Sequence, residues 1–163
     1  MTTIDSVIFE MACRIAIEAD NNLIDPARLV PAVAEKGVSE TQIMESQEIL
    51  EGRHYIELHL TAGPPHVYAF SITLFGFDQY VQAAIPDYSQ LCADVARLLV
   101  REECTGHRDT AQALGQPVFL IEHIFRSFEH NGLVRLAESF SGGIYLDVRW
   151  VSPELRRKLE SAS

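Results

Sequence analysis

LGQPVFLIEHIFRSFEHNGLV, residues 114–134, carries a turn, a helix and the start of a strand in one uninterrupted run. Gly115 breaks the chain after Leu114, and Pro117 suits the first turn of a helix, where its missing N–H costs nothing. Ile121, Phe125 and Phe128 then recur at helical spacing, so they share one face that must pack against other elements. Gly132 ends the helix after Asn131, and Leu133 opens an apolar strand that runs to Glu138.

Working outward, the spacing predicts a helix from Ser89 to Arg101 and a short one from Asp109 to Leu114 upstream of this run. Downstream, a second strand from Ile144 to Val151 pairs with the first around Ser141-Gly142-Gly143. Pro153 then starts a closing helix over Glu154 to Leu159.

The first half of the chain carries the same order. Val7, Ile8, Met11 and Ile15 mark a helix from Val7 to Ile17 that ends at Asn21-Asn22. Asp25-Pro26 caps and opens a second helix through Leu29 and Val33 to Gly37, and Ser39 caps a third from Glu40 to Leu50. Two β-rich runs, Tyr55 to Leu60 and Val67 to Thr73, flank a Gly- and Pro-bearing loop from Thr61 to His66 and read as a hairpin. An amphipathic stretch from Phe75 to Val81 closes the unit before Pro86. Gly37 and Gly115 lie 78 residues apart, and Ile72-Thr73 and Val151-Ser152 lie 79 apart. One offset serves both ends, so a single fold used twice is the simplest account.

The run from Leu114 to Val134 resembles the helix-turn-helix and wing of bacterial winged-helix regulators, without a gap. The first half resembles them through Gly37-Val38-Ser39, Ile43, Leu50 and Tyr55-Ile56. It departs at Gln47, where an apolar residue is usual, and at His54, where glycine normally ends the helix. The expected fold is therefore mainly α with small β-hairpins, an α+β chain of two winged helix-turn-helix domains over residues 1–85 and 86–163.

Charge divides unevenly between those halves. Residues 1–85 hold 4 Lys/Arg against 12 Asp/Glu, and residues 86–163 hold 9 against 11, within a total of −10. Nucleic-acid affinity comes largely from cations displacing counterions at phosphates, so a polyanion would meet the second half. No apolar run reaches the roughly 20 residues of a membrane span, and Thr2, Thr3 and Asp5 stand where a secretory signal carries positive charge. Cys13, Cys92 and Cys104 form no paired spacing, which suits reduced thiols and a cytoplasmic location.

In winged-helix regulators the exposed face of the third helix enters the major groove. In the first domain that face presents Glu40, Thr41, Met44, Glu45 and Glu48, and its carboxylates repel a phosphate backbone. Met44, Glu45 and Glu48 are thus candidate protein contacts. The second domain presents Pro117, Val118, Phe119, Glu122, His123 and Arg126, with Arg108, Thr110, Gln112 and Gln116 nearby. Arg108 and Arg126 suit phosphate or guanine and Gln112 and Gln116 suit adenine; Thr110 and His123 complete the candidate DNA set. Val118 and Phe119 suit a protein partner or the core.

Neither wing loop, Thr61 to His66 or Glu138 to Tyr145, carries Lys or Arg. Phe140 and Tyr145 suit either base stacking or cross-strand packing. Arg156-Arg157-Lys158 either touches phosphate or complements the negative end of the closing helix.

No catalytic motif emerges from six histidines that include His54, His59 and His66. Cys104 and His107 make half a metal site with no second pair at ligand spacing, and His123 and His130 stand about 10 Å apart along one helix, too far to share an ion. No enzyme, cofactor or metal is expected. Two functions remain. One is a dimeric DNA-associated regulator that contacts DNA through the second domain and protein through the acidic first. The other is an acidic tandem winged-helix scaffold, of the kind found in chromosome-condensation and transcription complexes, which binds protein alone.

Overall fold

In the computed structural model, which describes residues 2–61, 67–140 and 143–161, the first helix, α1 (Thr3–Ala19), opens on a capping box. Thr2 Oγ1 accepts from the Asp5 N–H, and the Asp5 carboxylate accepts from the Thr2 N–H at 2.6 Å. A two-residue strand, β1 (Leu23–Ile24), precedes α2 (Pro26–Ala34), which Asp25 caps by accepting from Ala27 N–H. Gly37, at φ +76°, makes the left-handed turn into α3 (Glu40–Gly52), which opens on a second box formed by Ser39 and Gln42. Strands β2 (Ile56–Leu60) and β3 (Val67–Ile72) and helix α4 (Leu74–Ala84) follow.

The three strands form an antiparallel sheet in the order β1-β3-β2, with Leu23 opposite Ser71 and Ile24 opposite Phe70. The spacing did not predict β1, because two residues are too short to show an alternation. The proline-bearing loop, Gly63-Pro64-Pro65, lies outside the described residues. Ile8, Phe9, Leu29, Val33, Ile43, Leu50, Ile56, Phe70 and Phe77 are buried in this part of the chain. Asp5 is buried too, and its second oxygen accepts from Ser46 Oγ at 2.7 Å, which ties α1 to α3.

The second half repeats this order. Helices α5 (Tyr88–Val100), α6 (His107–Leu114) and α7 (Val118–His130) precede strands β4 (Val134–Ser139) and β5 (Tyr145–Val151) and helix α8 (Pro153–Glu160). A single antiparallel pairing of Gly106 with Asp147 stands between α5 and α6, where the first half has β1. Val95, Leu99, Ile121, Ile124, Phe125, Val134, Leu146, Val148 and Leu155 make one buried cluster. The chain is thus of mixed α+β class with two small antiparallel sheets, and it divides into two units, Met1–Ala84 and Ile85–Ser163.

Equivalent atoms make equivalent bonds in the two units at the 78-residue offset. His54 and Gly132 both take left-handed backbone, at φ +62° and +70°. Tyr55 N–H donates to Leu50 O at 2.9 Å, and Leu133 N–H to Phe128 O at 2.8 Å. The Glu51 carboxylate accepts from Leu58 N–H at 3.1 Å, and that of Glu129 from Leu136 N–H at 2.8 Å. His54 thus does what a glycine does in the other copy, at the cost that its Cβ imposes in this conformation.

Candidate partner-binding faces

Helix α3 buries Ile43, Ser46, Gln47 and Leu50, which leaves Met44, Glu45 and Glu48 exposed on its other side. Met44 is 65% exposed and Ile49 is 39% exposed, so the acidic face has an apolar component. Glu40 and Thr41 are exposed as well.

Helix α7 is buried more widely than its sequence pattern implied. Phe119, Leu120, Ile121, His123, Ile124 and Phe125 are all buried, an arc well beyond the single stripe formed by Ile121, Phe125 and Phe128. Three expected contact residues are therefore corrected. Phe119 and His123 are 8% and 4% exposed, and Thr110 is fully buried with its hydroxyl donating to Gly106 O at 2.9 Å. Thr110 turns back into its own helix because a hydroxyl four residues on can reach the carbonyl of the preceding turn. Val118 is half-buried and packs against the core cluster of the second unit.

What remains on the surface of α7 is Glu122, Arg126, Glu129 and His130, the first two half-buried. Arg126 Nε donates to Glu122 at 2.9 Å, and its Nη2 donates to Glu138 on β4 at 3.1 Å. Burial works against the guanidinium charge, but the two carboxylates outweigh it and hold the group more firmly protonated than usual. A phosphate taking the N–H groups that remain would sit beside two carboxylates, which repel it. Gln112 is exposed and Gln116 half-buried, and neither is tied down by a side-chain bond among the described residues.

Arg108 belongs to an arrangement the sequence pattern did not reveal. Its Nη2 donates to Ile144 O at 3.2 Å, Tyr145 Oη donates to Asp109 at 2.9 Å, and Leu146 N–H donates to His107 Nδ1 at 3.0 Å. Three successive residues of α6 thus hold Ile144 and the first two residues of β5. Gly106 makes room for this clasp, since a Cβ there would lie 1.9 Å from Tyr145 Oη. Only the run His107-Arg108-Asp109 at a helix start hinted at it, and nothing in the sequence marks partners 36 to 39 residues away.

His107 is 1% exposed, and its Nδ1 lies 3.0 Å from the Leu146 nitrogen and 3.4 Å from the Leu146 carbonyl oxygen. Burial pushes its pKa below the ordinary 6.5, and the Leu146 backbone and Glu122 only partly offset that. The unfolded state then binds a proton that the folded state refuses, so stability rises with pH. The contribution is whole above about pH 6.5 and is lost as pH falls through the depressed folded value. Urea midpoints measured from about pH 7 to about pH 5 should fall, and His107→Asn, which keeps an acceptor but cannot titrate, should flatten that slope. Equal slopes for both chains would place the pH dependence elsewhere.

Among the described residues no group of three or more His, Cys, Asp or Glu is gathered that could hold a metal ion. No helix among them is long and apolar enough to cross a membrane. Comparisons with protein-family models, curated proteins and solved structures find no match to the chain.

Proposed function

We propose that the chain is a non-catalytic tandem winged-helix module that works by holding protein, a partner or a second copy, rather than by reading DNA. The repeated order of three helices, a hairpin and a closing helix, with the same bonds at the same offset, supports the winged-helix assignment. One observation carries the choice of partner. Arg126, the arginine of the third helix in the second unit, is held by Glu122 and Glu138. Arg108, the other candidate for phosphate, is held at the β-hairpin by Ile144 O.

The exposed Met44 beside Glu45 and Glu48 supports a protein-facing surface on α3, since an apolar side chain set among charges suits an interface better than a phosphate backbone. Cys13, Cys92 and Cys104 are in no disulfide among the described residues, which suits a reducing compartment such as the cytoplasm.

A DNA-associated role keeps one point in its favour, the 9 Lys/Arg of residues 86–163 against 4 in residues 1–85. Titration of labelled genomic DNA fragments at two salt concentrations, alongside sedimentation of the purified chain, separates the two. The expected result is a flat, weak DNA response together with self-association or a retained partner, either of which Met44→Lys weakens. Binding that falls steeply with salt and is lost in Arg108→Ala/Arg126→Ala would overturn the proposal in favour of DNA.

A further inference from the structure

A groove of about 560 Å³ opens between α1 and α4 of the first unit, lined by Ser6, Phe9 and Glu10 on one side and Gln79, Tyr80, Ala83 and Ala84 on the other. Tyr55, just before β2, also lines it. Phe9 and Tyr55 meet edge to face at 5.0 Å, and Tyr55 meets Phe75 in the same way at 5.5 Å. The rings are therefore fixed by one another. Phe9 is nearly covered, whereas Tyr55 and Tyr80 are half-exposed.

Glu10 is the single ionic side chain along the groove. It is exposed and makes no ion pair among the described residues, although Arg14 and Glu18, further along α1, also act electrostatically on Tyr80. Aromatic faces carry partial negative charge, and an unpaired carboxylate beside them adds a full one. The alanines and Phe9 give the apolar wall that the aliphatic stem of a long cation covers. Ser6 and Gln79 supply hydrogen-bonding groups at the rim. The surrounding charge agrees, because residues 1–85 hold 12 carboxylates against 4 cations.

We propose that this groove takes an arginine or lysine side chain from a basic segment of a partner protein. The ammonium or guanidinium lies against Tyr55 and Tyr80 and pairs with Glu10, and its stem covers Ala83 and Ala84. None of the residues that line the groove belongs to α3 or α7, so the proposal stands or falls independently of the choice between DNA and protein there.

The test uses the whole chain and short alanine-flanked peptides that differ at one position, carrying arginine, lysine, or citrulline, which keeps the shape of arginine without its charge. NMR titration should show the ring signals of Tyr55 and Tyr80 moving with the two cationic peptides and not with citrulline. Glu10→Gln should weaken binding roughly fivefold, the scale of one exposed ion pair. Glu35→Gln, which removes the same charge from the exposed end of α2 in the same unit, should leave binding unchanged. Equal weakening by both variants would mean that only bulk charge attracts the peptide. That result, or ring signals that respond equally to citrulline, would overturn the proposal.

Discussion

Gly76→Ala is expected to destabilise the first unit by about 3 kcal/mol, the upper range for forcing atoms into a packed site. A Cβ at this position would lie 2.3 Å from the carbonyl oxygen of Tyr55 and 2.9 Å from its Cα. Those are backbone atoms, so no side chain can turn aside. The whole of α4 must shift, and with it Phe77 and Val81, which are 1% and 0% exposed. Opposing this, alanine in a helix is favoured over glycine by about 1 kcal/mol. The clash outweighs the propensity, and the net sign is the measurable point. Urea unfolding followed by circular dichroism should show a lower midpoint; an unchanged or raised midpoint would mean that α4 is not seated against Tyr55.

Phe125→Ala should cost the second unit about 3–5 kcal/mol, as expected for removing a buried phenyl ring. Phe125 is fully buried, packs in the cluster with Ile121, Ile124 and Leu146, and meets the His107 ring at 6.4 Å. Trp150 lies on β5 of the same unit and is the sole tryptophan, so its fluorescence reports this transition. At the equivalent position 78 residues earlier stands Gln47, 3% exposed, with no partner for its amide nitrogen among the described residues. A buried donor left unsatisfied costs about 1–3 kcal/mol, so Gln47→Leu should stabilise the first unit by roughly 1 kcal/mol. Opposite signs at two equivalent positions are the expected pattern. A loss at both would mean that the Gln47 amide has work to do in the first unit.

The α+β class and the main elements were legible because each is signalled locally. Ser39 before Gln42 and Asp25 before Pro26 mark helix starts, and Gly37 and Gly115 mark turns, through chemistry that needs only neighbours in the chain. Gln47 and His54 stood out as departures, and both prove to be physical compromises: a buried amide without a partner and a left-handed residue with a Cβ. The surface was harder to read. His123 was placed outside, and Phe119 left between partner and core, because a stripe of three apolar residues on α7 defines one buried side, whereas burial there spreads around most of the helix. The holds on Arg126 and Arg108 come from Glu138, 12 residues away, and Ile144, 36 away, distances over which a sequence pattern carries no register. Glu10 and Tyr55 gave no sign of sharing a groove, since one belongs to a helix and the other to the approach to a strand.

The carboxylates of Glu51 and Glu129 have a consequence beyond joining helix to hairpin. Each occupies an amide of the outer strand that an extended foreign chain would need for its first rung, at Leu58 and at Leu136. Lateral growth of either ribbon, by fibre formation or by borrowing a strand from another molecule, is thereby obstructed at its root. A chain adding to β2 or β4 would first have to displace these carboxylates.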